Sequence, residues 1–204
     1  MINPELKKAL LKVASFYDEK KVGDLGPLGF RRSTDLRRLI QCIETIIEWD
    51  YVKFQDSLFL DMGCADGRVN VMLSYLVQKS VGIELDEWTL DEYGPLKGQL
   101  IKQLKEEKLT LPQGNIFLFH GDAMDERVIN DVQQATGNPL EDFDLFYTYL
   151  TMQEEFADMI ARRAKKGALF MVYGLESILP KYEGLRLLTP ERPLEGILAL
   201  YQKI

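Results

Sequence analysis

Two cysteines and a single histidine among 204 residues leave little material for metal or redox chemistry. Cys42 falls in a helical pattern and Cys64 inside a glycine-rich loop, and neither has a partner at the spacing of a zinc or dithiol motif, a usage that fits a reducing, cytoplasmic location. No run approaches the ~18 consecutive apolar residues of a membrane span. The opening MINPELKKALLKVASFYDEKK interrupts its apolar residues with lysines, so neither export nor a membrane partner is expected. Basic side chains are outnumbered, 25 against 32, a net charge of -7, which disfavours nucleic acid as a generic partner. Internal repeats and low-complexity segments are also missing.

What is present is a chain that is 46% hydrophobic and 28% charged, enough for one globular domain with a sizeable core and no need of disulfide or metal staples. Residues 1–57 read as N-terminal helices and a candidate lid, helix one with the loop from Gly23 to Phe30, packed on the core, and residues 58–204 as the core itself. Asn3 and Pro4 open a helix with Leu6, Leu10, Val13 and Tyr17 at helical spacing. Residues 20–30, with Gly23, Gly26, Pro27 and Gly29, read as a loop. Ser33 or Thr34 then caps a helix whose stripe of Leu36, Leu39, Ile40, Ile43, Ile46 and Ile47 is predicted to pack on a sheet.

From there strands alternate with helices. Strands are predicted over 58–61, 80–84, 116–120, 144–149 and 168–173, and helices over 68–78, 90–108, 125–134 and 153–166, the second of them interrupted by Gly94, Pro95 and Gly98. The alternation implies a parallel α/β sheet with helices on both faces. Two last strands, 185–188 and 197–202, are separated by only eight residues. A parallel crossover needs about a dozen or more, so they form an antiparallel hairpin at the sheet edge.

The stretch LFLDMGCADGRV ends its strand in an acid, Asp61, and then packs Gly63, Ala65 and Gly67 into five positions. Such a turn lets a ligand approach the backbone at the open edge of a parallel sheet. The dinucleotide fingerprint requires a third glycine where this chain has Arg68, and a P-loop requires Lys-Ser/Thr where it has Arg68 and Val69. Both phosphate readings fail. Glu84 ends the second strand in VGIELDEW, twenty-one residues after Gly63, and Asp122 follows the third strand in FLFHGDAMD. Each acid alone also reads as a strand-end or turn cap, and Asp66 as a cap of the next helix.

Taken in order, these residues resemble the class I S-adenosylmethionine-dependent methyltransferases over 58–173. The resemblance implies a Rossmann-like seven-stranded sheet, mostly parallel with an antiparallel last strand. It implies S-adenosyl-L-methionine as cofactor: Asp61 toward the methionine amino group, Gly63 beneath the cofactor, Gly67 letting the helix approach, Glu84 on the ribose and Asp122 on the adenine amino group. Cys64, Ala65, Leu85 and Ala123 flank them in the same turns. Ala65 departs from the usual glycine, which is tolerable at negative φ and costly otherwise.

Methyl transfer from a sulfonium is an in-line displacement governed by positioning and desolvation. The acceptor is expected after the fourth strand, in DLFYTYLTMQEE, which lacks the Pro-Pro of adenine-N6 enzymes. DMGCADGRVNV, VGIELDEW and FYTYL are similar to segments of small archaeal and mitochondrial protein-lysine methyltransferases, with Asp66, Arg68, Val69 and Trp88 matching beyond the general class. Tyr147 and Tyr149 are the candidate catalytic residues, forming a slot for an amine, unless either ring faces the core. The expected partner is a protein or small-molecule methyl acceptor. The alternatives are a small-molecule or RNA methyltransferase, or a non-catalytic cofactor-binding module of the same fold. His120 reads as structural. Arg31, Arg32, Arg37 and Arg38 form one basic cluster near the expected entrance, and Arg162, Arg163, Lys165 and Lys166 another at a helix end, where cations favour the dipole.

Overall fold

In the computed structural model, residues 2–26, 29–31 and 33–204 are described, with the backbone alone for 24–26 and 29–31. Helix α1 (Pro4–Asp18) starts where the Asn3 side chain accepts from the Leu6 amide. The segment read as a loop contains a short antiparallel hairpin, β1 (Val22–Gly26) with β2 (Gly29–Arg31). Helix α2 (Leu36–Trp49) is capped by Asp35 and not by Ser33 or Thr34; the Asp35 carboxylate accepts from the Arg38 amide at 3.0 Å. The Thr34 hydroxyl is engaged elsewhere, as described below.

The core then runs β3 (Leu58–Met62), α3 (Arg68–Leu73), β4 (Lys79–Glu84), α4 (Glu87–Asp91), α5 (Tyr93–Glu106), β5 (Ile116–His120), α6 (Glu126–Thr136), β6 (Leu145–Tyr149), α7 (Gln153–Arg163), β7 (Leu169–Tyr173), β8 (Leu185–Leu187) and β9 (Leu198–Lys203). Helix α3 ends sooner than its periodicity predicted, and the break expected at Gly94, Pro95 and Gly98 falls instead at Glu92, with α5 running through all three because they lie in its first turns. Seven strands form one sheet in the order β5-β4-β3-β6-β7-β9-β8. The first five are parallel, and β9 lies antiparallel between β7 and the edge strand β8. This is the mostly parallel sheet with an antiparallel end expected above.

Strands covered on both faces read as continuous apolar runs. On one face, Phe59, Tyr147, Met171 and Leu200 pack with α1, α2 and α3; the α2 stripe is buried there except Ile47, which is partly buried. On the other, Leu60, Val81, Phe146 and Phe170 pack with α6 and α7. The N-terminal helices therefore share one core with the sheet. Strand order reverses at β3, which pairs with β4 on one side and β6 on the other, and a crevice opens beyond the carboxyl ends of these strands.

Candidate active site

The loop after β3 is folded back on β4. Gly63 and Cys64 both donate to the Ile83 carbonyl, at 2.9 and 3.0 Å, Ala65 donates to Glu84 Oε2 at 2.9 Å, and Gly67 donates to the Cys64 carbonyl at 2.9 Å. Four amides of the glycine loop are thus engaged by the protein, so the loop is no nest for phosphate. Glu84 Oε1 accepts from the Asp86 amide at 2.9 Å, which makes this carboxylate the clip between the turns after β3 and β4. Gly63, at φ +92°, has nothing within 4 Å of where a Cβ would stand, so its Cα borders open space. Gly67, at φ +72°, is different: a Cβ there would come within 2.8 Å of Tyr93 and 2.9 Å of Leu118. It is held to glycine by packing as well as by conformation.

Ala65 has φ +50°. The condition for a tolerable alanine fails, and the residue carries backbone strain that its bond to Glu84 offsets. Asp66 is not the cap of α3 alone. Although it accepts from the Arg68 amide at 3.2 Å, both of its oxygens are also gripped by the Arg68 guanidinium, and Gly67 holds the cap position.

A cleft of about 840 Å³ runs along these strand ends, lined by Gly63, Ala65, Glu84, Leu85, Asp122, Ala123 and Tyr149 among the predicted residues. A second chamber of about 40 Å³ is lined by Asp61, Cys64 and Tyr147 together with Thr34 and Arg68, and it shares Val22, Gly63, Ala65 and Tyr149 with the cleft. Asp61 is buried, and burial, then Glu84 and Asp66, pushes its carboxyl well above the usual carboxylate range. Burial, reinforced by Asp61, holds the Cys64 thiol well above its ordinary value, so it is no nucleophile. Asp122 is exposed, and its carboxylate accepts from the Met124 amide at 2.8 Å.

Tyr147 is 2% exposed, with its hydroxyl 2.6 Å from Thr34 Oγ1 and its ring against Phe59 and Tyr173. Burial, then Asp61, pushes its phenol well above the ordinary value, so it stays neutral. Of the two tyrosines only Tyr149 reaches the large cleft; Tyr147 borders the inner chamber alone. The segment after β6, which sequence reasoning left undifferentiated, supplies Leu150, Thr151, Met152 and, from α7, Phe156 to the cleft. Leu150 and Met152 both have positive φ, +52° and +46°, a strained turn that no glycine announces.

His120 is exposed, 3.1 Å from the Leu85 carbonyl, and lines neither cavity. Trp88 is also outside both linings and 84% exposed. The side chains of Arg31 and Arg32 lie outside the described residues, and Arg38 donates to the Glu195 carbonyl at 2.7 Å. In the second basic cluster Arg162 pairs with Asp158, Arg163 with Glu126 and Glu141, and Lys165 with Asp144. No helix of the described residues is long and apolar enough to cross a membrane.

No protein-family model matches the chain, and no curated protein matches it. Solved structures do. The chain is similar to precorrin-6y C5,15-methyltransferase from Geobacter metallireducens, with a TM-score of 0.51 and 16% identity, covering 81% of this chain and 72% of that one. It is similar to the putative methyltransferase yhhF from Escherichia coli, TM-score 0.50, 19% identity, 89% of each chain. A point mutant of MtNAS in complex with S-adenosylmethionine gives a TM-score of 0.50 at 12% identity, covering 97% of this chain and 71% of that one. The fold is that of the class I methyltransferases. At these identities the likeness is one of fold, and within the methyltransferase fold the crevice at the order reversal is where Asp61, Gly63, Glu84 and Tyr149 converge.

Proposed function

We propose that this chain is an S-adenosylmethionine-dependent methyltransferase acting on an amine. The observation that carries the reading is the inward engagement of the glycine-loop amides at 63, 64, 65 and 67, which suits a ligand without phosphate. The open space over Gly63 and the buried Asp61 Oδ1, which has no hydrogen-bond partner among the described residues, fit the same cofactor. Bound there, the cofactor supplies a sulfonium methyl group ready for in-line displacement. Asp61 holds its ammonium end, Glu84 the ribose hydroxyls and Asp122 the adenine amino group, with Cys64, Ala65, Leu85 and Ala123 shaping the walls. Val22, bordering both cavities, makes the β1–β2 hairpin the candidate lid.

An amine reacts only when deprotonated, and desolvation favours its neutral form. Tyr149, Leu150, Met152 and Phe156 supply apolar surface at the end of the cleft where the acceptor enters, while Tyr147 closes the inner side. Protein lysine is the finer reading, supported by the similarity of DMGCADGRVNV, VGIELDEW and FYTYL to small lysine methyltransferases. A small-molecule acceptor fits as well, since the cleft of about 840 Å³ has room for more than a nucleoside. The names of the similar structures favour neither: one is a precorrin enzyme, and another, from Aquifex aeolicus, a tRNA enzyme.

Calorimetric titration with S-adenosylmethionine, S-adenosylhomocysteine and NAD tests the cofactor. Micromolar binding of the first two and none of NAD is expected, with about a tenfold or greater loss in Glu84→Ala and a smaller one in Glu84→Gln. Absence of binding by either adenosyl ligand overturns the reading. Transfer of labelled methyl to protein, RNA or metabolite fractions of a lysate then separates the acceptor classes.

A further inference from the structure

The inner chamber is bordered by one member, Arg68, of a polar pairing that the assignments above leave unused. Asp66 and Arg68 form a buried ion pair, their side chains 0% and 3% exposed. Arg68 Nε lies 3.0 and 3.2 Å from the two Asp66 oxygens, and Nη2 donates to Asp66 Oδ2 at 2.9 Å and to the Lys20 carbonyl at 3.3 Å. A guanidinium carries five N–H donors. These contacts use Nε and Nη2, and Nη1 is buried with no hydrogen-bond partner among the described residues.

Asp61 Oδ1 is buried and unpartnered in the same way, and Asp61 and Arg68 line the same chamber. The lining residues therefore include a cation with an unpartnered donor and an acid with an unpartnered acceptor. Each is costly while unmatched, and more so away from water. A third polar group points to the same kind of ligand. The Thr34 and Tyr147 hydroxyls share one hydrogen bond at 2.6 Å but carry two protons between them, and both line the chamber. At about 40 Å³ the space admits roughly three water-sized groups, enough for a charged head group and too little for a nucleoside.

The complement of such a chamber is a zwitterion. We propose that Arg68 binds the carboxylate of the cofactor's α-amino acid end through Nη1, across the chamber from the ammonium held by Asp61. The inference rests on the methyltransferase reading of the cleft. Asp66 is the positioning residue: by engaging Nε and Nη2 it leaves Nη1 as the donor available to a ligand, and it balances the arginine charge so that a net-neutral head group is the best match. The chamber opens onto the cleft at Gly63, Ala65 and Tyr149, so one ligand reaches both.

The test is a ligand series on the unaltered full chain, read by calorimetry. The ligands are S-adenosylhomocysteine, its decarboxylated analogue, which keeps the ammonium, and 5′-methylthioadenosine, which lacks both charges. Affinity is expected to fall at least about tenfold on loss of the carboxylate, and further on loss of the ammonium. A decarboxylated analogue that binds within about twofold of the parent overturns this inference and leaves the cofactor reading standing; no binding by any of the three overturns both. In Arg68→Lys, which keeps a cation beside Asp66 but loses the guanidinium fork, the discrimination is expected to shrink to under about threefold with 5′-methylthioadenosine binding unchanged. Persistence of the full discrimination in a variant that still binds 5′-methylthioadenosine removes Arg68 from the role. If the variant does not fold, the series on the unaltered chain decides.

Discussion

Ala65 sits in the left-handed region at φ +50°, where its Cβ crowds the following carbonyl at a cost of roughly 1–2 kcal/mol. Glycine removes that strain but orders a freer unfolded chain, so Ala65→Gly is expected to stabilise by a net of about 0.5–1 kcal/mol, a rise in Tm of about 1–4 °C by calorimetry. A fall in Tm would mean that the methyl group packs better than it strains. Asp61 carries the second residue-scale expectation. Its folded carboxyl is raised by burial, then by Glu84 and Asp66, above an unfolded value of about 3.9. The folded state therefore holds a proton the unfolded state has lost, so this contribution is whole below about pH 4 and disappears as pH climbs through the folded value. Cys64, Tyr147, Arg68 and Tyr149 also border the chamber, but Asp61→Asn removes only this titration. Relative to the unaltered chain, its Tm without ligand is expected to improve steadily between pH 5 and 8; a difference independent of pH would refute the assignment.

At the scale of elements, α1 and α2 are joined by more than their apolar stripes. Asp18, at the C-terminus of α1, accepts from the Leu36 amide at 2.8 Å and the Arg37 amide at 3.3 Å, so one helix end caps the start of the next. Together with Asp35 it satisfies the orphaned donors of the first turn of α2. Asp18→Ala is expected to cost about 1–2 kcal/mol, lowering Tm by about 2–8 °C in thermal unfolding. An unchanged Tm would mean that water replaces the carboxylate without loss. The same junction delivers Thr34 to Tyr147, and so bears on the inner wall of the site. The sequence pointed to Ser33 or Thr34 as the cap; Asp35 serves instead, while the Thr34 hydroxyl is held by Tyr147 on β6.

For the molecule as a whole, the order reversal at β3 sets the location of the cleft, and the composition sets its surroundings. In the 162–166 cluster Arg163 and Lys165 are tied to acids outside α7, Glu126, Glu141 and Asp144, while Arg162 pairs with Asp158 within the helix, so the first two brace α7 to the segments around it. The N-terminal helices bury Ala9, Leu10, Val13, Leu36 and Ile43 in the same cluster as Phe59 and Tyr147. A disturbance of α1 or α2 therefore reaches the inner chamber through packing as well as through Thr34.

The alternation of apolar runs with amphipathic helices, the acid and small residues after Leu60, and the short spacing of the last two strands were enough to determine a parallel sheet with an antiparallel end and a ligand crevice at its carboxyl edge. These are local patterns, written in period and turn chemistry. The β1–β2 hairpin escaped because its glycines signal a turn whether or not the flanks pair. At Ala65 the glycine pattern raised the question of φ, which only the structure answers, whereas the positive φ of Leu150 and Met152 escaped because side chains that disfavour that region give no warning of it. Tyr147 and Tyr149 share a face by strand alternation, but only tertiary packing closes Thr34 and Phe59 over the first and leaves the second at the cleft. The orphaned Nη1 of Arg68 and Oδ1 of Asp61 belong to tertiary structure alone, because whether a polar atom has a partner depends on every element around it.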